Sequence, residues 1–212
     1  MHKCIGFSSM VALVGLIGML GTTTSAKAQV VNGSFETGDF TGWTLNNGLG
    51  AVVTTADSKN PTDGVFFAHL DAGNGAYVYT TLSQTFNATA GDIISGDAYF
   101  QANDYIPYND DAYVQILQGN VVLFSSDVAA VGDFGNTPWT AFSYQFAAGG
   151  SYTIEAGVRN VLDNGLSSSM GLDNVRISSS SVTPEGSSLA MFALGGLPLA
   201  VGFGRKFRRK TS

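Results

Sequence analysis

Side chains that could carry out nucleophilic or metal-assisted catalysis are sparse in this sequence. Between residues 29 and 179 there is one histidine, His69, and the single cysteine of the chain, Cys4, lies outside that range. A serine or cysteine mechanism needs a histidine held beside its nucleophile, and a zinc site needs several His or Cys ligands. His69 lies in the apolar segment 66–70. We therefore expect a hydrogen-bonded interior histidine rather than a catalytic base.

Paired carboxylates are the other chemistry to consider, because glycosidases need only two of them. The glutamates between residues 29 and 179 are Glu36, in a turn-rich segment, and Glu155, on the polar side of an alternating segment. Asp110 and Asp111 are adjacent, so in a strand their side chains would point to opposite faces. None of these forms a convincing acid–base pair. The sequence predicts that the protein is not an enzyme.

Aromatic side chains interleaved with amides and carboxylates point instead to sugar recognition. Aromatic faces stack on sugar rings while Asp, Asn and Gln bond the hydroxyl groups. Both kinds of residue are dense in segment 99–111. The candidate ligand-binding rings are Tyr77, Tyr79, Tyr105, Tyr108 and Trp139. The alternative for each is packing in the core or at its rim.

The elements that would hold these residues are strands. Helical periodicity is nearly absent, and apolar and polar residues alternate within short segments separated by turn residues. We expect strands at 43–45, 51–55, 66–70, 76–86, 93–101, 112–118, 121–125, 140–146, 151–160 and 171–178. Strands of this number predict an all-β antiparallel sandwich of the jelly-roll type, with an immunoglobulin-like sandwich as the alternative.

The two ends of the chain have a different composition from this domain. Residues 1–28 contain Lys3, an almost uncharged apolar stretch over 4–20, and Ala26-Lys27-Ala28. This order is typical of a cleaved signal peptide, and a permanent transmembrane helix is the alternative. We therefore divide the chain into a signal peptide at 1–28, a domain at 29–179 and a tail at 180–212.

The tail combines Pro184-Glu185, an uncharged run over 189–203 and a basic cluster. That cluster contains Arg205, Lys206, Arg208, Arg209 and Lys210. A helix of about 15 residues spans roughly 22 Å, which is marginal for a bilayer. Cations beyond the run hold that end in the cytoplasm. The pattern predicts a short hydrophobic helix that anchors the chain in the inner membrane transiently.

These three features resemble the PEP-CTERM sorting signal of Gram-negative bacteria. The resemblance implies processing by an exosortase, a membrane protease-transpeptidase associated with exopolysaccharide production, and a final location at the cell surface or outside the cell. The usual motif is Val-Pro-Glu-Pro, whereas Thr183 and Gly186 flank the pair here. An ordinary tail anchor is the alternative.

The domain resembles galactose-binding-like and carbohydrate-binding-module jelly rolls in three segments. They are the opening segment 30–43, the central segment 82–92, and the closing sequence Gly171-Leu172-Asp173-Asn174-Val175-Arg176-Ile177. In the resembling modules the Glu of the opening motif and the Asp of the closing strand often share a structural calcium. The resemblance implies that Glu36 and Asp173 do so here, with loop 57–63 able to supply further oxygens. The alternative is that both carboxylates accept hydrogen bonds from backbone amides.

The charge of the domain limits its partners. Between residues 29 and 179 there are three basic residues, Lys59, Arg159 and Arg176, and 15 of the 16 acidic residues, which gives 3 − 15 = −12. Such a surface repels nucleic acid and anionic lipid. We expect an exported, non-catalytic, exopolysaccharide-associated binding module. The alternatives are a purely structural envelope or biofilm protein without a sugar site and a secreted glycan hydrolase.

Overall fold

The computed structural model describes residues 29–56, 59–73 and 75–179. The predicted signal peptide and sorting tail lie outside the described residues. The elements are β1 (Thr44–Asn46), β2 (Val52–Thr54), β3 (Phe67–Asp71), β4 (Thr80–Ala88), β5 (Ile93–Gln101), β6 (Asp111–Ile116), β7 (Val121–Asp127), α1 (Val128–Val131), β8 (Thr140–Gln145), β9 (Gly150–Arg159) and β10 (Ser169–Ser178). Within these ranges no helix is long and apolar enough to cross a membrane.

The strands form two five-stranded sheets that pack face to face. The front sheet has the order β1-β4-β9-β6-β7 and the back sheet the order β2-β3-β10-β5-β8. Every pair of neighbouring strands in the two sheets is antiparallel. The chain crosses repeatedly between the sheets, and the predicted all-β jelly-roll sandwich is confirmed.

Alternation along the strands builds the core. In β4 the even-numbered residues are buried and the odd-numbered ones are partly or fully exposed, because successive side chains of a strand point to opposite faces. The core cluster includes Leu70, Leu82, Phe100, Ile154 and Leu172, each with no exposed surface. Each sheet therefore buries one face in the core, and only its outer face can contact a ligand.

The opening segment closes one end of the sandwich. Phe35 is fully buried and contacts Trp43, with ring centroids 5.4 Å apart. Gln84 of the front sheet accepts a hydrogen bond from the Val31 amide at 2.7 Å and donates one to the Val31 carbonyl at 2.9 Å. The Val175 amide of the back sheet donates to the Gly33 carbonyl at 2.9 Å. The segment thus joins both sheets.

All ten expected strands are present, and β5 has the predicted bounds. The largest difference is in segment 76–86, where β4 begins only at Thr80. Gly75 has φ 109° and Tyr77 has φ 64°, so the backbone there is in the left-handed region and cannot continue a strand. Tyr77 and Tyr79 therefore precede β4, whereas we expected both of them within a strand over 76–86.

Gly33 gives a test of this packing. A Cβ atom built at Gly33 would lie 1.8 Å from the Val175 carbonyl oxygen, a backbone atom that cannot move aside. We expect Gly33→Ala to lower the free energy of unfolding by about 2–3 kcal/mol, measured by chemical denaturation. Gly149→Ala is the matched control, because its Cβ would come no closer than 3.5 Å to another atom. Equal effects of the two substitutions would contradict the role of Gly33.

Candidate functional site

The outer face of the back sheet is covered. Tyr99 of β5 lies across Gly171 of β10, its partner in register, and a Cβ at Gly171 would be 2.0 Å from the Tyr99 ring. The Trp139 ring packs edge-on against Tyr99 at 4.7 Å and against Phe67 at 5.5 Å. Tyr99 and Phe67 are fully buried although neither belongs to the core cluster. They form a second apolar layer beneath Trp139.

The segment 59–66 completes this cover, and the two predicted calcium ligands fix it in place. Asp173 Oδ2 accepts hydrogen bonds from the amides of Thr62 at 2.7 Å and Asp63 at 3.0 Å. Glu36 Oε1 accepts hydrogen bonds from two successive amides, those of residues 65 and 66, both at 2.9 Å. The Trp139 indole N–H donates to the carbonyl of residue 60 at 2.8 Å. Both carboxylates therefore bind backbone amides, as the alternative to calcium expected.

A calcium ion at Glu36 and Asp173 would need further oxygen ligands. Ca²⁺ takes roughly six to eight oxygens, and the described ranges hold no group of three or more His, Cys, Asp or Glu residues placed to bind a metal. Both oxygens of Asp173 already accept hydrogen bonds, Oδ1 from the Asn174 amide at 2.7 Å. Burial raises the pKa of Asp173 above its ordinary value, against the lowering effect of those hydrogen bonds. Calcium at Glu36 and Asp173 stays a prediction.

The outer face of the front sheet repeats the same ring-over-glycine arrangement. Tyr113 of β6 is paired in register with Gly157 of β9. A Cβ at Gly157 would lie 2.7 Å from Tyr113 Cζ and 2.9 Å from its hydroxyl oxygen, so the ring occupies the space that any side chain would fill. The Tyr79 ring meets it edge-on at 5.0 Å and 76°. Tyr79 thus contacts Tyr113 much as Trp139 contacts Tyr99, but Tyr113 is half-buried whereas Tyr99 is fully buried.

Hydrogen bonds fix the orientation of both tyrosines. The Tyr113 hydroxyl donates to Glu155 Oε1 at 2.7 Å, and Gln115 Nε2 donates to the same oxygen at 3.3 Å. The Tyr79 hydroxyl donates to Asp111 Oδ1. Burial, followed by the hydrogen bond to its carboxylate, raises the pKa of each tyrosine above the ordinary value. Both hydroxyls therefore stay protonated at neutral pH.

Arg159 is the cation of this face. Its Nε donates to Asp111 Oδ2 at 2.8 Å, and its guanidinium group lies over the Tyr79 ring at 4.6 Å from the centroid. Burial lowers the pKa of Arg159, but the hydrogen bond and charge of Asp111 outweigh that effect and the net direction is upward. Arg159 and Asp111 are thus an ion pair that lies against the Tyr79 ring.

A cavity of about 280 Å³ lies beside the rings. Its lining includes Tyr79, Asp111, Tyr113, Ser125, Asp127 and Ala130. The cavity combines two aromatic rings with carboxylate and hydroxyl groups, which is the mixture that holds a sugar. It is our candidate site, and we call it the front-face cavity.

The structure places the five predicted rings in three separate regions. Tyr79 lines the front-face cavity, and Tyr77 precedes β4 with its side chain 56% exposed. Tyr105 and Tyr108 contact each other at 5.4 Å in a loop, where Tyr105 also lies 5.9 Å from the ring of residue 134. Trp139 covers the back sheet. The five do not form one site.

Sequence reasoning missed Tyr113 and misread Glu155. Glu155 was expected as an exposed strand position, but it is half-buried and holds the Tyr113 hydroxyl. The available signal was Gly157, an unexpected glycine inside the alternating segment 151–160, because a glycine in a strand marks close approach of another group. The identity of the ring above it depends on strand pairing.

Comparisons with known proteins found similarity among solved structures at low sequence identity. No family model and no curated protein matches the chain. Among solved structures, TmCBM61 in complex with β-1,4-galactotriose is 17% identical, with a TM-score of 0.49 over 72% of this chain and 99% of that one. Family 16 Carbohydrate Binding Module-2 is 18% identical, with a TM-score of 0.42 over 71% and 99%. The CBM22-1 xylan-binding domain of Paenibacillus barcinonensis Xyn10C is 16% identical, with a TM-score of 0.38 over 68% and 89%. Likeness at this level carries no argument about a ligand.

The predicted calcium has a measurable consequence. If Glu36 and Asp173 bind Ca²⁺, a chelator lowers the midpoint of thermal unfolding of the full chain, because a ligand bound only by the folded state stabilises it. Glu36→Gln should abolish that response while keeping an oxygen that can accept the two amides. A midpoint that does not move with the chelator contradicts calcium and leaves the amide hydrogen bonds as the role of both carboxylates.

Proposed function

We propose that residues 29–179 form a non-catalytic carbohydrate-binding module whose binding surface is the outer face of the front sheet. The observation that carries the proposal is the contrast between two matching arrangements. Tyr99 over Gly171 is buried beneath Trp139, whereas Tyr113 over Gly157 borders a cavity. One ring is structural, and the other has a side available to a ligand.

The chemistry of the face suits a sugar ring. One side of Tyr113 rests on the sheet at Gly157, so its opposite side is the one that a pyranose can stack on. Around it, Asp111, Glu155 and Gln115 offer acceptors and a donor for hydroxyl groups. The rings are held in place before any ligand arrives, which limits the conformational entropy lost on binding.

Export and sorting complete the proposal. The signal peptide at 1–28 supports export, and the tail with Pro184-Glu185 and its basic cluster supports handling by an exosortase-type enzyme. The module would be anchored transiently in the inner membrane and then act at the cell surface or outside the cell. There the glycan within reach is the exopolysaccharide of the cell.

Tyr113 is the residue on which binding should depend. We expect Tyr113→Ala to weaken binding at least about tenfold, the equivalent of about 1.4 kcal/mol, through loss of the stacking surface. Tyr113→Phe should retain most of the affinity because it keeps the ring. The measurement is affinity electrophoresis of the full chain in gels containing β-1,4-galactan, xylan or purified exopolysaccharide, with circular dichroism to confirm folding.

Tyr105→Ala is the matched control, because it removes a tyrosine ring from a different exposed surface. It should leave retention unchanged. Loss of retention in Tyr105→Ala but not in Tyr113→Ala would move the site to the loop and refute the front face. No retention of the unaltered chain in any gel would favour a purely structural envelope protein.

The tail gives a separate test. Replacing Pro184 and Glu185 together by alanine should block processing, because it removes the paired motif while leaving the apolar run and the basic cluster intact. Immunoblots of membrane and medium fractions should then show the longer, unprocessed chain held in the membrane. Unchanged fractionation would favour an ordinary tail anchor.

A further inference from the structure

The front-face cavity has an excess of negative charge that a neutral sugar would not require. We propose that it receives a protonated amino group, so that the glycan recognised is one that carries free amines. This inference rests on the proposed function and deepens it by naming the class of glycan. The inference rests on one juxtaposition. The edge-on pair of rings Tyr79 and Tyr113 lies beside two carboxylates, Asp127 and Glu155, that no lysine or arginine of the described residues neutralises.

The charge count comes from the strand positions. Of the three basic residues between 29 and 179, only Arg159 lies on this face. Lys59 donates to the side chain of residue 136 and lies by the Tyr99 ring, and Arg176 is in β10, so both lie on the back-sheet side of the sandwich. Asp111 neutralises Arg159 at 2.8 Å. The remaining acids of the face are therefore not balanced by a lysine or arginine of the described chain.

Those remaining acids are Asp127, which lines the cavity, and Glu155, which holds the Tyr113 ring. Asp127 is fixed at the start of α1. Its Oδ1 accepts the Ala130 amide at 2.8 Å, and its Oδ2 accepts Asn109 Nδ2 at 3.3 Å. A carboxylate offers about four lone-pair sites over its two oxygens. Asp127 thus keeps acceptor capacity for an ammonium group, in a fixed orientation.

The two rings add a second attraction for a cation. Tyr79 and Tyr113 meet at 76°, and both line the cavity, so an ammonium group inside it approaches the electron-rich surface of aromatic rings. Arg159 already uses the Tyr79 ring in this way. Aromatic cages are a general way to hold quaternary ammonium groups. A uronate or sulfate would instead meet like charge.

The experiment compares oligosaccharides that differ at one substituent. Calorimetry on the full chain would use β-1,4-linked oligomers of glucosamine, N-acetylglucosamine and glucose of equal length, with galactosamine and galactose in case the ring configuration is galacto. At slightly acid pH and about 0.15 M salt, where long-range attraction is screened, we expect the free amine to bind about five- to tenfold more tightly than its acetylated or hydroxyl partner.

Matched variants separate a local effect from general attraction between an acidic protein and a cation. Asp127→Asn removes one charge at the cavity and keeps a side chain that caps helices well, so the preference for the amine should fall severalfold. Asp163→Asn removes the same charge from an exposed loop position and should leave the preference intact. Glu155→Gln, which keeps an acceptor for Tyr113, is a second local variant and should also lower the preference.

Equal loss of preference in Asp127→Asn and Asp163→Asn would overturn the inference, since it would show general electrostatic attraction. Binding of neutral and amino sugars with equal affinity, lost in Tyr113→Ala, would also overturn it while the proposed function stands. If no sugar of either kind binds, in this series or in the polysaccharide gels, the proposed function itself fails.

Discussion

The carboxylate of Asp173, in the middle of the last strand, holds in place the segment that covers the outer face of the back sheet. By accepting the amides of Thr62 and Asp63 it holds the segment 59–66 against the back sheet, and Glu36 holds the end of the same segment. Trp139 bonds to that segment and seals the Tyr99 ring. Without these hydrogen bonds the Tyr99 ring would lose this cover.

The front sheet has the same arrangement of a tyrosine ring over a glycine, but there the ring is not buried completely. A glycine in one strand leaves space for a tyrosine ring of the neighbouring strand, and hydrogen bonds to Glu155 and Asp111 fix the two rings while Tyr113 stays half-buried. In the back sheet the ring becomes part of an apolar layer. The difference lies in the connecting segments, which supply a tryptophan and a run of amides on one side only.

The negative charge of the domain limits the partners that it can bind. The domain holds 15 acids against three basic residues, and the ion pair of Arg159 with Asp111 uses the one basic residue of the front face. Partners that depend on clustered cations, such as nucleic acid or anionic lipid, are disfavoured by the same surface. The acidic surface would not repel a neutral glycan or one that carries protonated amines.

The sequence by itself determined the architecture and several details. Alternation with period two and turn residues between the segments predicted all ten strands, because burial of one sheet face imposes that pattern wherever the strand pairs. It also predicted a strand over 93–101 with the bounds that β5 has. The export and sorting signals are likewise predictions from local composition, read without any tertiary contact.

Only the tertiary structure decided which rings share a surface. Tyr113 and Gly157 are 44 positions apart and meet through the pairing of β6 with β9, and Trp139 reaches Tyr99 through the pairing of β5 with β8 and the hydrogen bond to segment 59–66. Tyr77 lies outside the strand predicted for it because its backbone has a positive φ, which the sequence did not lead us to predict. Strand periodicity fixes which side of its own strand a residue faces. Whether that side is exposed to solvent depends on which distant segment packs over it, and this cannot be predicted from the local sequence.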